Sequence, residues 1–183
     1  VNTKMPTRLP EGYPSRREAR LTIKDGREIF LRPILPTDSP LILDLFGRLS
    51  PESLYLRFLK ELHALPEDML YRFTHIDYKS EFALVAVAGE EGRESIVAVA
   101  RYVRDPREDL TDLAIVVRDD WQHQGLGKEL LLRIADVGRE HGIRSFAGMM
   151  DPHNTVIKQT LARLGFEVSY SLRDGFFQVE IVI

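Results

Sequence analysis

The 183-residue chain contains no cysteine. That absence excludes disulfides, thiolate metal ligands and covalent catalysis through a cysteinyl intermediate, so any group transfer would run directly between bound substrates. No apolar run approaches the roughly twenty residues of a membrane helix, and no cleavable signal pattern is visible. Cytoplasmic residence with no membrane partner is the default expectation. Neither sign of charge dominates: 25 Lys and Arg stand against 28 Asp and Glu, a net charge of −3 that argues against a nucleic-acid partner. The histidines (His63, His75, His123, His141, His153) show neither His-x-His nor His-Glu-x-x-His spacing, and no metal site is expected. Internal repeats and low-complexity tracts are also lacking.

The residues present describe one ordinary globular domain, 44% hydrophobic and 29% charged. Residues 1–20, with Pro6, Pro10, Pro14 and the cations Lys4, Arg8, Arg16, Arg17 and Arg20, read as an extended basic leader or linker. From residue 21 the pattern is regular. Lys24-Asp25-Gly26-Arg27 is a hairpin turn signal between two short apolar runs. Helix starts follow at Thr37-Asp38-Ser39-Pro40, at Ser50-Pro51-Glu52-Ser53 and at Pro66-Glu67-Asp68. Strands are expected over 81–88 and 95–103, separated by Gly89-Glu90-Glu91-Gly92. The linker 104–109, with Pro106 and the acids Glu108 and Asp109, leads to a strand over 112–117. A long amphipathic helix carrying Leu126, Leu130, Leu131, Ile134 and Val137 then ends at His141-Gly142. A strand over 144–150, a helix over 154–164 and a closing hairpin over 166–183 complete an α/β (α+β) domain of residues 21–183. Its single mixed, largely antiparallel sheet is expected to hold six to seven strands flanked by helices.

Between the strand at 112–117 and the long helix lies Gln122-His123-Gln124-Gly125-Leu126-Gly127. Glycines that let a backbone approach closely, followed at once by the positive end of a helix, form an anion cradle, most often for phosphate. Two cradles are excluded by position. A Walker loop needs Ser or Thr after Gly-Lys and an upstream glycine, but Glu129 follows Lys128 and Gln122 holds the glycine's place. A dinucleotide fingerprint needs a third glycine where Leu130 stands.

The remaining pattern, Gln-x-x-Gly-x-Gly, resembles the acyl-CoA pyrophosphate loop of the GNAT superfamily of N-acetyltransferases. Asn154 followed by Leu164-Gly165-Phe166 resembles that superfamily's second motif, and the element order matches from about residue 21 to the end. A narrower resemblance runs through Leu31-Arg32-Pro33-Ile34, the segment from Leu49 to Phe58, Asp77-Tyr78, Phe82 to Ala86, Arg101-Tyr102 and Arg118 to Gln122. These segments are similar to the GNAT domain of bacterial protein-lysine acetyltransferases that modify acyl-CoA synthetases.

The resemblance implies a donor, acetyl-CoA, and a set of contacts. Gln122, His123, Gln124, Gly125, Leu126, Gly127 and Lys128 would surround the pyrophosphate, and the main chain of Ile115, Val116 and Val117 would pair with the pantetheine arm. The backbone of 114–116 would supply an oxyanion donor. Asn154 would hydrogen-bond the same arm, or simply cap its helix. The superfamily often places a tyrosine seven residues beyond this asparagine as general acid; here Leu161 stands there.

A primary amine acceptor such as lysine, with a pKa near 10.4, is neutral in less than about one part in a thousand at pH 7. A base is therefore required. The resembled enzymes carry a glutamate ten residues before the loop glutamine, and this chain carries Asp112, one methylene shorter, which favours a water relay. Glu81, at the mouth of another strand, is the reserve candidate, and Tyr55, Arg57 and Tyr78 fall in segments that form the acceptor groove. The expected acceptor is a protein lysine, for instance on an acyl-CoA synthetase. Two alternatives are a small-molecule amine and a non-catalytic acyl-CoA-binding regulatory module.

Overall fold

A computed structural model describes residues 6–89, 92–105, 107 and 110–183. Lys4 of the leader, Glu90 and Glu91 of the expected turn, and Pro106, Glu108 and Asp109 of the expected linker lie outside the described residues. The strands are β1 (Ala19–Thr22), β2 (Glu28–Pro33), β3 (Glu81–Ala88), β4 (Ser95–Asp105), β5 (Leu110–Val117), β6 (Ser145–Met150), β7 (Glu167–Arg173) and β8 (Phe176–Val182). The helices are α1 (Ser39–Arg48), α2 (Pro51–Phe58), α3 (Glu67–Thr74), α4 (Leu126–Glu140) and α5 (Thr155–Leu164). They build one eight-stranded sheet in the order β1-β2-β3-β4-β5-β6-β8-β7. Every neighbouring pair is antiparallel except β5 and β6. The count exceeds the expected six to seven because both arms of the N-terminal hairpin join the sheet, with Leu21 opposite Ile29.

Helices pack on both faces of the sheet because strand side chains alternate. Leu84, Ala86, Ala98, Ala100 and Tyr102 face one way, into a core completed by Leu126, Leu130, Leu131, Ile134 and Val137 of α4. The helical stripe read from the sequence is thus fully buried. Close packing of α4 on the sheet is permitted by Gly138, where an added Cβ would lie 2.8 Å from both Phe146 and Ile183. The other face presents Ala83, Val85, Val87 and Ile96 to Ile42, Leu45 and Leu49, in and beside α1.

Two polar anchors fix the segments leading into this framework. Arg32 at the end of β2 grips Asp38 with two guanidinium bonds of 2.7 Å, and both side chains are about as buried as the apolar core, at 2% and 3% exposed. Asp38 also accepts the Leu35 amide at 2.7 Å, so the carboxylate closes the turn that starts α1. Of the leader, Tyr13 packs edge-on against Tyr78 at 5.7 Å, and Arg16 and Arg17 both pair with Glu140 at the end of α4. Among the described residues no helix is long and apolar enough to cross a membrane.

Candidate active site

The sheet opens at its one parallel junction. β5 and β6 pair at Asp112–Ala147, and no further pair is recorded between them among the described residues. Gly148 still lies against the Leu113 carbonyl, which an added Cβ would approach to 3.3 Å. Beyond that point the strands diverge, and residues 113–117 are only half-buried although all are apolar. The opposite edge of β5 is fully paired with β4 from Leu110 to Val117, and the Arg118 amide continues that ladder to the Val97 carbonyl at 2.9 Å. Backbone groups alternate along a strand. The main-chain groups of Ile115 and Val117 therefore point into the opening, where the Val117 carbonyl meets the Gln122 side chain, whereas those of Val116 are spent on β4. The Val116 side chain lines a cavity on the α1–α3 face.

At the wide end of the opening, a 3₁₀ turn (Asp119–Trp121) delivers the chain to the glycine loop. His123 (φ 61°) and Gly125 (φ 86°) both adopt left-handed backbone, which reverses the chain at the start of α4. Gly125 occupies the N-cap position and has no side chain with which to cap. Glu129 is the first residue of the loop–helix junction whose amide bonds back, to the Gly125 carbonyl at 3.1 Å. The preceding amides, of Leu126, Gly127 and Lys128, thus form an uncapped helix N-terminus, the feature that attracts anions. Gly127 approaches Val117 with room for a Cβ at 3.8 Å, so its hydrogen keeps the surface low rather than preventing a clash. The His123 and Lys128 side chains are exposed.

The loop is braced from behind in a way the sequence did not announce. The Gln122 side-chain amide donates to the Val117 carbonyl at 3.0 Å and to Ser53 Oγ at 3.3 Å. Asp119 accepts from the Ser50 amide (2.9 Å), Ser50 Oγ (2.7 Å) and Ser53 Oγ (2.8 Å), at the start of α2. Ser50 also caps α2 as expected, accepting the Ser53 amide at 3.1 Å. The signal for this brace was the Ser-Pro-Glu-Ser segment, legible as a cap but not as a partner for a turn nearly seventy residues away. Trp121 is flanked by two cations, with the Arg27 guanidinium 3.7 Å and that of Arg118 6.0 Å from its ring centre.

At the narrow end, Asp112 is exposed and is aligned with Val103 of β4, which is itself aligned with Glu81 of β3. Directly opposed residues share a face. Asp112 and Glu81 therefore stand on the α1–α3 face two strands apart, about 10 Å at the usual strand spacing. Glu81 is engaged: it accepts from Arg101 Nη2 at 3.1 Å, and the Arg101 side chain is 10% exposed. Burial pulls the Arg101 guanidinium below its ordinary pKa, against the restoring charge of Glu81. Past Asp112 on the same face, β6, β8 and β7 carry no helix, leaving an open polar trough of about 320 Å³. Leu110, Ala147, Ser145, Gln178, Glu180 and Ser169 line it.

The remaining candidates separate. Asn154 caps α5, its Oδ1 accepting the Ile157 amide at 3.4 Å, and stays half-buried. Leu161 is 1% exposed in the core, so its position offers no proton donor. Tyr78 is also a core residue, 4% exposed, donating to the Ile34 carbonyl at 2.8 Å rather than facing a groove. Tyr55 is exposed, and Arg57 lines the cavity on the α1–α3 face. Among the described residues no cluster of His, Cys, Asp or Glu could hold a metal.

Comparison with known proteins agrees with this architecture. Residues 51–166 match the acetyltransferase (GNAT) family. An acetyltransferase of Pseudomonas aeruginosa is 30% identical over 145 residues, which cover 79% of this chain and 78% of that protein. The acetyltransferase Pat of Mycolicibacterium smegmatis is 28% identical over 144 residues, 78% of this chain but 42% of that longer protein. In three dimensions the crystal structure of the GNAT domain of S. lividans PAT is similar with a TM-score of 0.84 and 30% identity, covering 93% of this chain and 99% of that one. A sheet opened at one parallel junction, an uncapped glycine-led helix at its wide end and the extended match over 51–166 have one common meaning: the chain belongs to the GNAT family of acetyltransferases.

Proposed function

We propose that the enzyme transfers the acetyl group of acetyl-CoA directly to the side-chain amine of a protein lysine. The observation that carries this reading is the exposed Asp112 at the narrow end of the β5–β6 opening, continuous with an open polar trough. The uncapped amides of Leu126, Gly127 and Lys128 fit a pyrophosphate, with Gln122, His123, Gln124 and Gly125 shaping the loop and the Lys128 ammonium adding charge. Ile115, and the amide of Val117, present main-chain groups to the pantetheine amides, a strand-like recognition of an extended ligand, while the Val117 carbonyl is held by Gln122. Val116 contributes through the cavity behind, and Asn154 borders the arm from α5.

In the reaction, Asp112 takes a proton from the lysine ammonium, directly or through one water. The amine nitrogen then bonds to the thioester carbon while the Ile115 amide donates to the developing oxyanion; the C–S bond breaks to release the CoA thiolate, which takes up the proton that the amide nitrogen sheds. A thiol with a pKa near 8.5 needs little help to leave, consistent with Leu161 in place of an acid. Glu81 serves as the counter-ion of Arg101 and stands as the reserve base.

A protein acceptor is favoured over a small amine because the polar trough, about 320 Å³, is the roomier site and carries Glu180, whereas the apolar cavity beside it offers only about 50 Å³. The similarity to Pat proteins supports the same choice. The test is transfer of radiolabelled acetyl groups to a lysate of the source organism and to purified acyl-CoA synthetases. Discrete labelled protein bands are expected, and label confined to small molecules would refute the protein-lysine reading.

A further inference from the structure

The cavity between the sheet and α1–α3 has an unusual lining. Of its wall residues only Arg57 and Arg101 are polar; Phe73, Phe58, Ala114 and Val116 are among the rest. No carboxylate lines it. Arg101 spends its charge on Glu81, which lies outside the lining. Arg57 has no hydrogen-bond or ion-pair partner among the described residues; its recorded neighbours are the faces of Phe58 at 4.8 Å and Phe73 at 5.9 Å. Arg101 lies 4.6 Å from the same Phe73 ring. Burial, followed by repulsion from Arg101, pushes the Arg57 guanidinium down to about 10. Two cations thus share one apolar wall, and among the described residues only Arg101 has an anion partner, Glu81, which leaves the Arg57 fork available to an incoming anion.

The position of the cavity bears on its occupant. Arg101 is paired with Ala114 of β5, so Asp112 is its diagonal neighbour on the same face, about 7–8 Å away at the backbone. A volume of about 50 Å³ exceeds one water but not a few non-hydrogen atoms. The guanidinium fork matches a planar carboxylate, and the apolar walls match a short alkyl stem.

We propose that this cavity is a subsite for a carboxylate on a short apolar stem, presented to Arg57 beside the reacting centre. Two substrates could bring such a group: the acceptor, as an acidic side chain near the target lysine, or the donor, as a carboxylate-ended acyl group. The assignment to a substrate rests on the acyl-transfer reading, but the subsite itself is testable without turnover.

Butyrate and its neutral isostere butyramide are titrated into the protein while the arginine Nε–H resonances are followed by NMR. Saturable shifts of the Arg57 and Arg101 signals with butyrate only are expected, and Arg57→Gln should weaken butyrate at least tenfold. Arg57→Lys, which keeps the charge but loses the fork, should fall between, and thermal melting checks that both variants fold. Equal responses to butyramide, undiminished binding in Arg57→Gln, or no saturation would overturn the subsite, whatever the enzyme acetylates. In turnover, inhibition by butyrate competitive with the amine assigns the carboxylate to the acceptor. An Arg57-dependent preference of at least tenfold for succinyl-CoA over acetyl-CoA assigns it to the donor. Butyrate binding with neither effect would overturn the placement beside the reacting centre.

Discussion

Replacing Asp112 by Asn tests the proposed base apart from everything around it. Asn has nearly the same volume and can still accept a hydrogen bond, but it cannot take a proton at neutral pH. A lysine of pKa 10.4 is neutral in about one part in 800 at pH 7.5, so without a base only that fraction attacks. General bases contribute about 10²–10⁴ in rate. A loss of kcat of about 10², worth about 2.7 kcal/mol of barrier, is therefore expected at pH 7.5. The deficit should shrink roughly tenfold per pH unit and close near pH 10, where the acceptor deprotonates itself. The glycine loop begins five residues beyond Val117, and Asp112 is five residues before it. The strand portion alone spans about 17 Å, so KM for acetyl-CoA should stay within about twofold. Release of CoA can be followed continuously with a thiol-reactive chromophore, and the enzyme itself adds no background because it has no cysteine. A loss under about threefold at pH 7.5, or a larger loss in a folded Glu81→Gln variant, would refute the assignment.

Three further outcomes follow from the packing. Asp38→Ala should cost about 3–5 kcal/mol by stranding the buried Arg32, lowering Tm by roughly 6–20 °C, while the paired change Arg32→Met with Asp38→Leu recovers most of it; thermal melts decide. Gly125→Val forces a branched side chain to φ 86°, which should cost about 1–2 kcal/mol or more and weaken acetyl-CoA, read from the fluorescence of the single tryptophan next to the loop. Burial raises the Asp119 carboxyl, but donation from Ser50 and Ser53 outweighs it and holds the group below the usual carboxylate range. Its contribution is therefore complete above the unfolded value near 4 and is lost as pH falls through the lower folded value. Asp119→Asn should reduce the urea midpoint at pH 7 and close the gap with wild type as the pH drops below 4.

What could be read from the sequence was local. The stripe Leu126, Leu130, Ile134 and Val137 announced α4 because helical burial repeats within one segment, and all four are at most 1% exposed. The glycine loop was equally legible, since its meaning lies in one strand end and one helix start. Asn154 and Ser50 were readable as caps for the same reason. The divergence of β5 from β6 was not readable, because it depends on which residues fail to pair across some thirty-five positions. Nor was the division between Ile115 or Val117 and Val116, which needed the register of β5 on β4. Tyr78 was drawn to the groove by the family resemblance of its segment, whereas its hydroxyl donates to the Ile34 carbonyl inside the core. The Arg57–Arg101 pairing joins a helix to a strand and left no trace in either segment.

The single Asp112–Ala147 pair has a mechanical meaning as well. It is the vertex of a wedge, with the β4–β5 side and the β6–β8–β7 side as its two arms. A rotation of about 5° between the arms would shift the far end of β5, about 17 Å out, by roughly 1.5 Å, enough to admit or release a long ligand. The vertex itself would barely move. A carboxylate mounted there would keep its aim through such a rotation, and the displacement would fall on the glycine-loop end of the strand.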